Sequence, residues 1–342
     1  MIFFKICAAR LRVLFVFQIA KCFSMSSLYA QTVHVLMPVY NSDPYLSLSI
    51  KSVLDQSYSS TKLLAYNDGS TDKSEQILSN YKIAEKDKVY VYGDQENRGI
   101  SFARKELLKI SQSIDSDAMV LWLDSDDQYI DKDFIGRFAA QMKKTNADIC
   151  LFNFEIVYED QKQIENSSGL IKEQENSSAI LKAITKTPKQ EISPNDLKNI
   201  LDFTSLGWTK GYGKLHWPVP EDCPYEDFVY MAAILNSEKI TALPPSYKPI
   251  RYLRRSTSIT GKRTPATFDA VIKQLRTFID SVDSEKRKEF HKEILSFLTR
   301  KIGQYETLLR GIVESKNNSE ITPEVLEIYL ENASKLIHSF KE

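Results

Sequence analysis

The chain has 342 residues, of which 45 are basic and 45 acidic, with 42% hydrophobic and 26% charged residues. This balance fits a globular protein long enough for one large domain and an appendage. Zero net charge speaks against a nucleic-acid partner. Cys7, Cys22, Cys150 and Cys223 form neither a disulfide framework nor a zinc pattern, which suits a reducing cytoplasm.

Residues 1–30 carry Lys5, Arg10, Arg12 and Lys21 and no acid, around an apolar stretch from Val13 to Ala20 that is too short to span a bilayer. Met25 stands just ahead of the first strand, so residues 1–24 read as an upstream extension, with a membrane-surface anchor as the alternative. Val33 to Met37 is an apolar run that ends in Pro38, Val39, Tyr40 and Asn41, where a strand gives way to a loop. Ser47 to Leu54 reads as a helix. Leu63 to Tyr66 is a second short strand, and Asn67, Asp68, Gly69, Ser70, Thr71 and Asp72 combine a turn with a helix start. Val89 to Tyr92 is a third strand, followed by the segment Asn97 to Arg104 leading into a helix that runs to about Ile110. Ala118 to Leu123 is a fourth apolar run, and it empties into Asp124, Ser125, Asp126 and Asp127.

Strands alternating with helices of about ten residues predict a mostly parallel, doubly wound sheet, because a parallel crossover needs about a dozen residues or more. Ligands of such sheets bind beyond the carboxyl ends of the strands. The polar clusters around Asn41, Asp68, Arg98 and Asp124 all fall at such ends, so they are expected to line one crevice. Ionised carboxylates as close as Asp124, Asp126 and Asp127 repel one another, which points to a divalent cation or sugar hydroxyls as their partner; a solvated turn is the plainer alternative.

The segments PVYN, NDGSTD, NRGISFAR and LDSDD, in this order and spacing, resemble the nucleotide-diphospho-sugar domain of family-two glycosyltransferases, inverting enzymes of the GT-A fold. The resemblance is close over residues 32 to about 130 and looser to about 261. It implies an α/β, Rossmann-like domain over 31–261, divided into a nucleotide-sugar half (31–130) and an acceptor half (131–261). Residues 262–342 are left as a C-terminal helical appendage.

The same resemblance implies roles for individual residues. Asp68 receives a hydrogen bond from the donor's base, and Pro38, Val39, Tyr40 and Asn41 line the same pocket; capping of the next turn is the alternative for Asp68. Where the family usually has Asp, this chain has Asn67. Arg98 and Arg104 are candidates for the base or diphosphate, since guanidinium forks suit such acceptors, although either also suits a helix surface. Asp124 falls near the ribose with Ser125 beside it. Asp126 is the expected metal ligand, with Asp127 as its support or substitute. Mg²⁺ or Mn²⁺ is the expected cofactor, as hard oxygen ligands and phosphates suit both.

Glu226 and Asp227 open an apolar helix, where acids are favoured by the helix dipole in any case. The family's Glu-Asp motif makes Asp227 the expected catalytic base and Glu226 its substitute. Trp208 and Lys210 match the family's Trp-x-Lys, a platform for an acceptor sugar, though Gly207, Gly211 and Gly213 are not typical there. Arg255, followed by Ser256 to Ile259, resembles the family's closing segment and is expected to cover the diphosphate; a solvated basic linker is the alternative.

Residues 159 to about 200 read as a variable hairpin or loop followed by helix. From Phe268 to Leu309, apolar residues recur at helical spacing, which core packing explains. The basic face with Lys286, Arg287, Lys288, Lys292, Arg300 and Lys301 would also suit an anionic membrane.

The expected activity is therefore metal-dependent transfer of a sugar, with inversion, from a UDP-sugar or similar donor. The acceptor is a saccharide or lipid-linked oligosaccharide of surface polysaccharide, at the cytoplasmic face of the membrane. A nucleotidyltransferase would show a Gly-rich phosphate loop after the first strand, and a dinucleotide oxidoreductase a G-x-G-x-x-G; neither is present. A non-catalytic nucleotide-sugar-binding subunit is the alternative from another class.

Overall fold

A computed structural model describes residues 30–152, 154–159, 210–213, 227–237, 239–244, 247–255, 265–315 and 320–341. The leader, the 165–178 region, Trp208 and Glu226 lie outside the described residues.

The first half alternates strand and helix as the sequence predicts: β1 Val33–Val39, α1 Asp43–Leu54, β2 Thr61–Asp68, α2 Ser74–Ala84, β3 Val89–Asp94, α3 Ile100–Ile114 and β4 Met119–Trp122. These four strands form a parallel sheet in the order β3-β2-β1-β4. Every residue of β1 is buried, as expected of an inner parallel strand covered on both faces. Its alternate side chains divide between two cores. Val33, Val35, Met37 and Val39 pack with Leu46, Ile50 and Val53 of α1. Leu36 joins the opposite face with Leu64, Trp122 and the α3 residues Ala103 and Leu107.

Helix α1 begins at Asp43, four residues before the start read from sequence. Pro44 looks like a breaker there, but a proline in the first turn forfeits only an amide with no intrahelical partner. Strands β2 and β3 likewise run further toward their carboxyl ends than their apolar runs, because Asn67, Asp68 and Asp94 stay in register: Asn67 pairs with Gly93 and Asp68 with Asp94. Polar residues thus complete the strands that deliver them to the site.

Beyond β4 the chain forms β5 Gln128–Tyr129, α4 Phe134–Thr145, β6 Ile149–Phe152, β7 Phe154–Tyr158, β8 Lys210–Gly213, α5 Asp227–Asn236, β9 Ile240–Ala242 and β10 Ile250–Arg254. Two small mixed sheets result, β5-β10-β7 and β8-β6-β9. Strand β10 lies parallel to β7 and antiparallel to β5.

Four C-terminal helices follow among the described residues: α6 Pro265–Ser281, α7 Ser284–Glu289, α8 His291–Ser315 and α9 Pro323–Lys341. This helical appendage packs into the core of the sheet. Phe268, Phe278, Phe297 and Tyr329 belong to the same connected apolar cluster as Leu36 and Trp122 of the sheet, with Ala232 to Leu235 of α5 in it as well. Within this core Gln274 of α6 is fully buried, and neither its amide oxygen nor its nitrogen has a hydrogen-bond partner. Among the described residues, no helix is long and apolar enough to cross a membrane.

Candidate active site

The loops at the carboxyl ends of β1, β2, β3 and β4 are tied together by short polar bonds. Asn41, at a left-handed φ of 48°, accepts the Thr71 amide at 2.8 Å on its side-chain oxygen, and its own amide donates to Ser70 Oγ. The Asp43 amide donates to Asp72 Oδ2 at 2.9 Å. Burial alone would raise the Asp72 carboxyl, but the amides of Asp43 and Ser74 and the Ser74 hydroxyl outweigh it and hold the group below its ordinary value. Pro38 and Val39 are buried at the end of β1, and Tyr40 is 47% exposed at the rim.

Asp68 is only 2% exposed, and both its oxygens are engaged. Oδ1 accepts the Arg98 amide at 2.9 Å and Oδ2 the Gly99 amide at 2.8 Å. The carboxylate thus pins the loop that opens α3, a loop three decades of residues away, rather than the turn beside it. Each oxygen keeps lone-pair capacity for a further donor. Gly69 makes this arrangement possible. At φ +67° it lets the β2 loop approach so closely that a Cβ there would stand 2.6 Å from the backbone nitrogen of Asn97. Asn67 donates to Glu75 Oε2 at 2.5 Å and accepts the Ser70 amide, so the departure from the family's Asp is absorbed in the turn itself.

The two arginines take different paths. Arg98 turns outward, 4.7 Å from the Phe102 ring centroid and 3.7 Å from Asp94 Oδ2. That carboxylate also accepts the Tyr66 hydroxyl, and burial together with this bond pushes the phenol upward. Arg104 is buried, and its guanidinium meets Asp124 Oδ1 at 2.7 Å above the Trp122 ring.

The segment Asp124 to Asp127 divides its labour. The Ser125 hydroxyl lies 2.7 Å from that of Ser42, and its carbonyl accepts from Ser49, so α1 braces the loop. Asp127, 1% exposed, accepts the Leu253 amide at 3.0 Å and thereby fastens β10. Asp126 then faces Arg255, two residues beyond Leu253, with 2.8 Å between Oδ2 and the guanidinium. That guanidinium lies 5.2 Å from the centroid of the Tyr45 ring, whose hydroxyl donates to Glu159. The bond to Glu159 is the main cause of a raised phenol pKa at Tyr45. Neither Tyr45 nor Glu159 stands out in the sequence; the one available signal is an aromatic residue in the first turn of the helix that follows β1.

Asp227 is the first residue of α5, and Lys210 opens β8 opposite Phe152; their side chains, like Trp208 and Glu226 entirely, lie outside the described part of the structure. Among the described residues no group of three or more His, Cys, Asp or Glu could hold a metal ion. Asp126 nonetheless fits one as a single carboxylate. It already faces a cation in Arg255, and Mg²⁺-type sites commonly use one or two carboxylates and complete their shell with phosphates and water.

A parallel sheet with helices on both faces and its acids gathered at one end is the frame of GT-A glycosyltransferases, and solved structures of that class superpose on it. Staphylococcus aureus TarS 1–349 in complex with UDP-GlcNAc is similar with a TM-score of 0.60 at 17% identity, over 91% of this chain and 90% of that one; the same protein with UDP gives 0.57. The family model for glycosyl transferase family 2 matches residues 34–205, and the chain belongs to this family. Among curated relatives, glycosyltransferase GlyA of Streptococcus pneumoniae is 34% identical over 120 residues, 35% of this chain and 16% of that protein. The putative teichuronic acid biosynthesis glycosyltransferase TuaG of Bacillus subtilis is 34% identical over 97 residues, 28% of this chain and 36% of the relative. These matches therefore take in well under half of either relative's length.

Proposed function

We propose that the protein transfers a sugar from a nucleotide-diphosphate donor, a UDP-sugar, to a hydroxyl of a saccharide acceptor in cell-surface polysaccharide synthesis, with inversion at the anomeric carbon. The observation that carries this reading is the set Asp68, Asp124 and Asp126, delivered by β2 and β4 to the carboxyl end of one parallel sheet and held there by backbone and arginine partners. The names of TuaG and TarS, one assigned to teichuronic acid synthesis and the other bound to UDP-GlcNAc, support the acceptor and donor classes.

In this reading Asp68 offers its remaining lone pairs to the base, the Pro38 to Asn41 segment forms the wall of the same pocket, and Asp124 with Ser125 meets the ribose. Arg98, already outward, and Arg104 supply positive charge along the nucleotide. A divalent cation, Mn²⁺ or Mg²⁺, held by Asp126 with Asp127 in support, would neutralise charge on the departing diphosphate. Arg255 adds a guanidinium to the same leaving group. Asp227, with Glu226 beside it, takes the proton of the acceptor hydroxyl as that oxygen attacks the face opposite the leaving group. Trp208 and Lys210 hold the acceptor ring. A single displacement of this kind needs no covalent nucleophile on the protein.

The test is binding and hydrolysis across a panel of nucleotide sugars with Mn²⁺, Mg²⁺ or EDTA, on wild type, Asp126→Ala and Asp227→Asn. Expected are metal-dependent donor binding lost in Asp126→Ala, and binding kept with turnover reduced at least about a hundredfold in Asp227→Asn. Absence of donor binding by wild type under every metal condition would refute the reading.

A further inference from the structure

Arg255 and Asp126 are each assigned above to the donor diphosphate, one through its own charge and one through a metal. In this structure they hold each other at 2.8 Å, with side chains 25% and 14% exposed. Both sides of the pair are fastened. Asp127 fixes β10 through the Leu253 amide, two residues before Arg255. Ser42 and Ser49 fix the loop of Asp126 to α1, and α1 also carries Tyr45, on whose ring the guanidinium rests at 5.2 Å from the centroid. Glu159, from the end of β7, accepts the Tyr45 hydroxyl and so holds the ring at its outer edge.

A divalent cation drawn to the Asp126 carboxylate would meet the guanidinium already held there, and the two positive charges repel, so the two compete for this group. We propose that Tyr45 is a positioning residue for Arg255: its ring is the shelf on which the guanidinium rests while it neutralises Asp126, so that donor entry is an exchange of cations at this carboxylate. The metal takes Asp126, and the displaced Arg255 passes to the diphosphate that arrives with the metal. This rests on the donor reading above. It makes the site selective for the metal–nucleotide complex over the bare metal, since a bare metal brings no phosphate to receive the released guanidinium.

The exchange predicts shifts of opposite sign, which a merely structural role would not produce. Free Mn²⁺ binding is read by the loss of the aqueous Mn²⁺ paramagnetic resonance signal, and Mn²⁺·UDP binding by calorimetry, on the full chain. Arg255→Gln should bind Mn²⁺ alone about fivefold more tightly, the scale of a partly exposed ion pair, and bind Mn²⁺·UDP more weakly than wild type. Tyr45→Ala should also tighten Mn²⁺ alone, by about two- to threefold, the scale of a cation–π contact at a partly exposed site. Tyr45→Phe, which keeps the ring and loses only the hydroxyl bond to Glu159, should stay closer to the wild-type value than Tyr45→Ala. Mn²⁺·UDP binding by wild type together with unchanged or weakened Mn²⁺ affinity in both Arg255→Gln and Tyr45→Ala would overturn the exchange and leave the donor reading standing. Wild type that binds no nucleotide diphosphate with any metal would overturn both.

Discussion

Replacing Gly69 by alanine tests whether the contact between the β2 and β3 loops builds the site. The residue has φ +67°, and a Cβ added there would meet the Asn97 nitrogen and the Glu96 carbonyl carbon at 2.6 Å and the Gln95 oxygen at 3.0 Å. All three are backbone atoms, so no side chain can swing aside. A left-handed conformation costs a non-glycine residue about 1–2 kcal/mol, and forcing an extra carbon into a filled space about 1–3 kcal/mol. Gly69→Ala should therefore lose about 2–5 kcal/mol of stability, read from urea unfolding. The strain falls on the very loop whose Arg98 and Gly99 amides bind Asp68, so UDP affinity should drop by about tenfold or more if one of these charge-assisted bonds is lost. Gly99→Ala is the comparison: φ +91° and ψ 159° there belong to a region essentially confined to glycine, but a Cβ would meet nothing within 4 Å, so its cost is backbone strain alone, about 1–3 kcal/mol. Wild-type stability or wild-type UDP affinity in Gly69→Ala would refute the reasoning.

Three further outcomes follow from other parts of the structure. Asp124→Ala should destabilise the protein more than Arg104→Met, because the first takes the Asp124 carboxylate from a buried guanidinium while the second leaves Asp124 open enough to be hydrated; urea unfolding that ranks them the other way would count against this. Gln274→Leu, which removes a fully buried amide without partners, should stabilise the chain by about 1–3 kcal/mol, and a thermal midpoint lowered by the substitution would contradict it. The Tyr247 hydroxyl, followed by the Asp133 amide, holds the Asp131 carboxyl below its ordinary value of 3.8. The stability it adds is accordingly complete above about pH 4 and lost as the pH falls through the lower folded value. Urea midpoints measured between pH 2 and 5 should then decline less steeply in Asp131→Asn than in wild type, and parallel curves would remove Asp131 as a cause.

The parallel half of the fold is legible in the sequence because its strands are buried on both faces and read as unbroken apolar runs. Their polar ends are less so: Asn67, Asp68 and Asp94 look like loop residues, and only pairing with the neighbouring strand makes them part of β2 and β3. The short strands β5, β8 and β9 escape a pattern reading, since two to four residues cannot establish a period. At the site, the sequence indicates which residues gather but not which of them hold one another. The Asp68 bonds to the Arg98 and Gly99 amides, the Asp127 bond to Leu253 and the pairing of Asp126 with Arg255 span from about 30 to about 130 positions. No local spacing encodes them.

The apolar cluster that joins Leu36 to Tyr329 and Leu336 sets an order of events during synthesis. The sheet is complete early, once β4 has emerged, but one of its faces belongs to a core whose last members come roughly 200 residues later. At about 5–20 residues per second this leaves that face unfinished for roughly 10–40 s on the ribosome. Throughout that interval Leu36, Leu64 and Trp122 have Ala103 and Leu107 of α3 as partners, while those on α5, α6, α8 and α9 have yet to be made. Early packing of α3 over Leu36 and Leu64 is thus as much a requirement of this architecture as the residues that later close it.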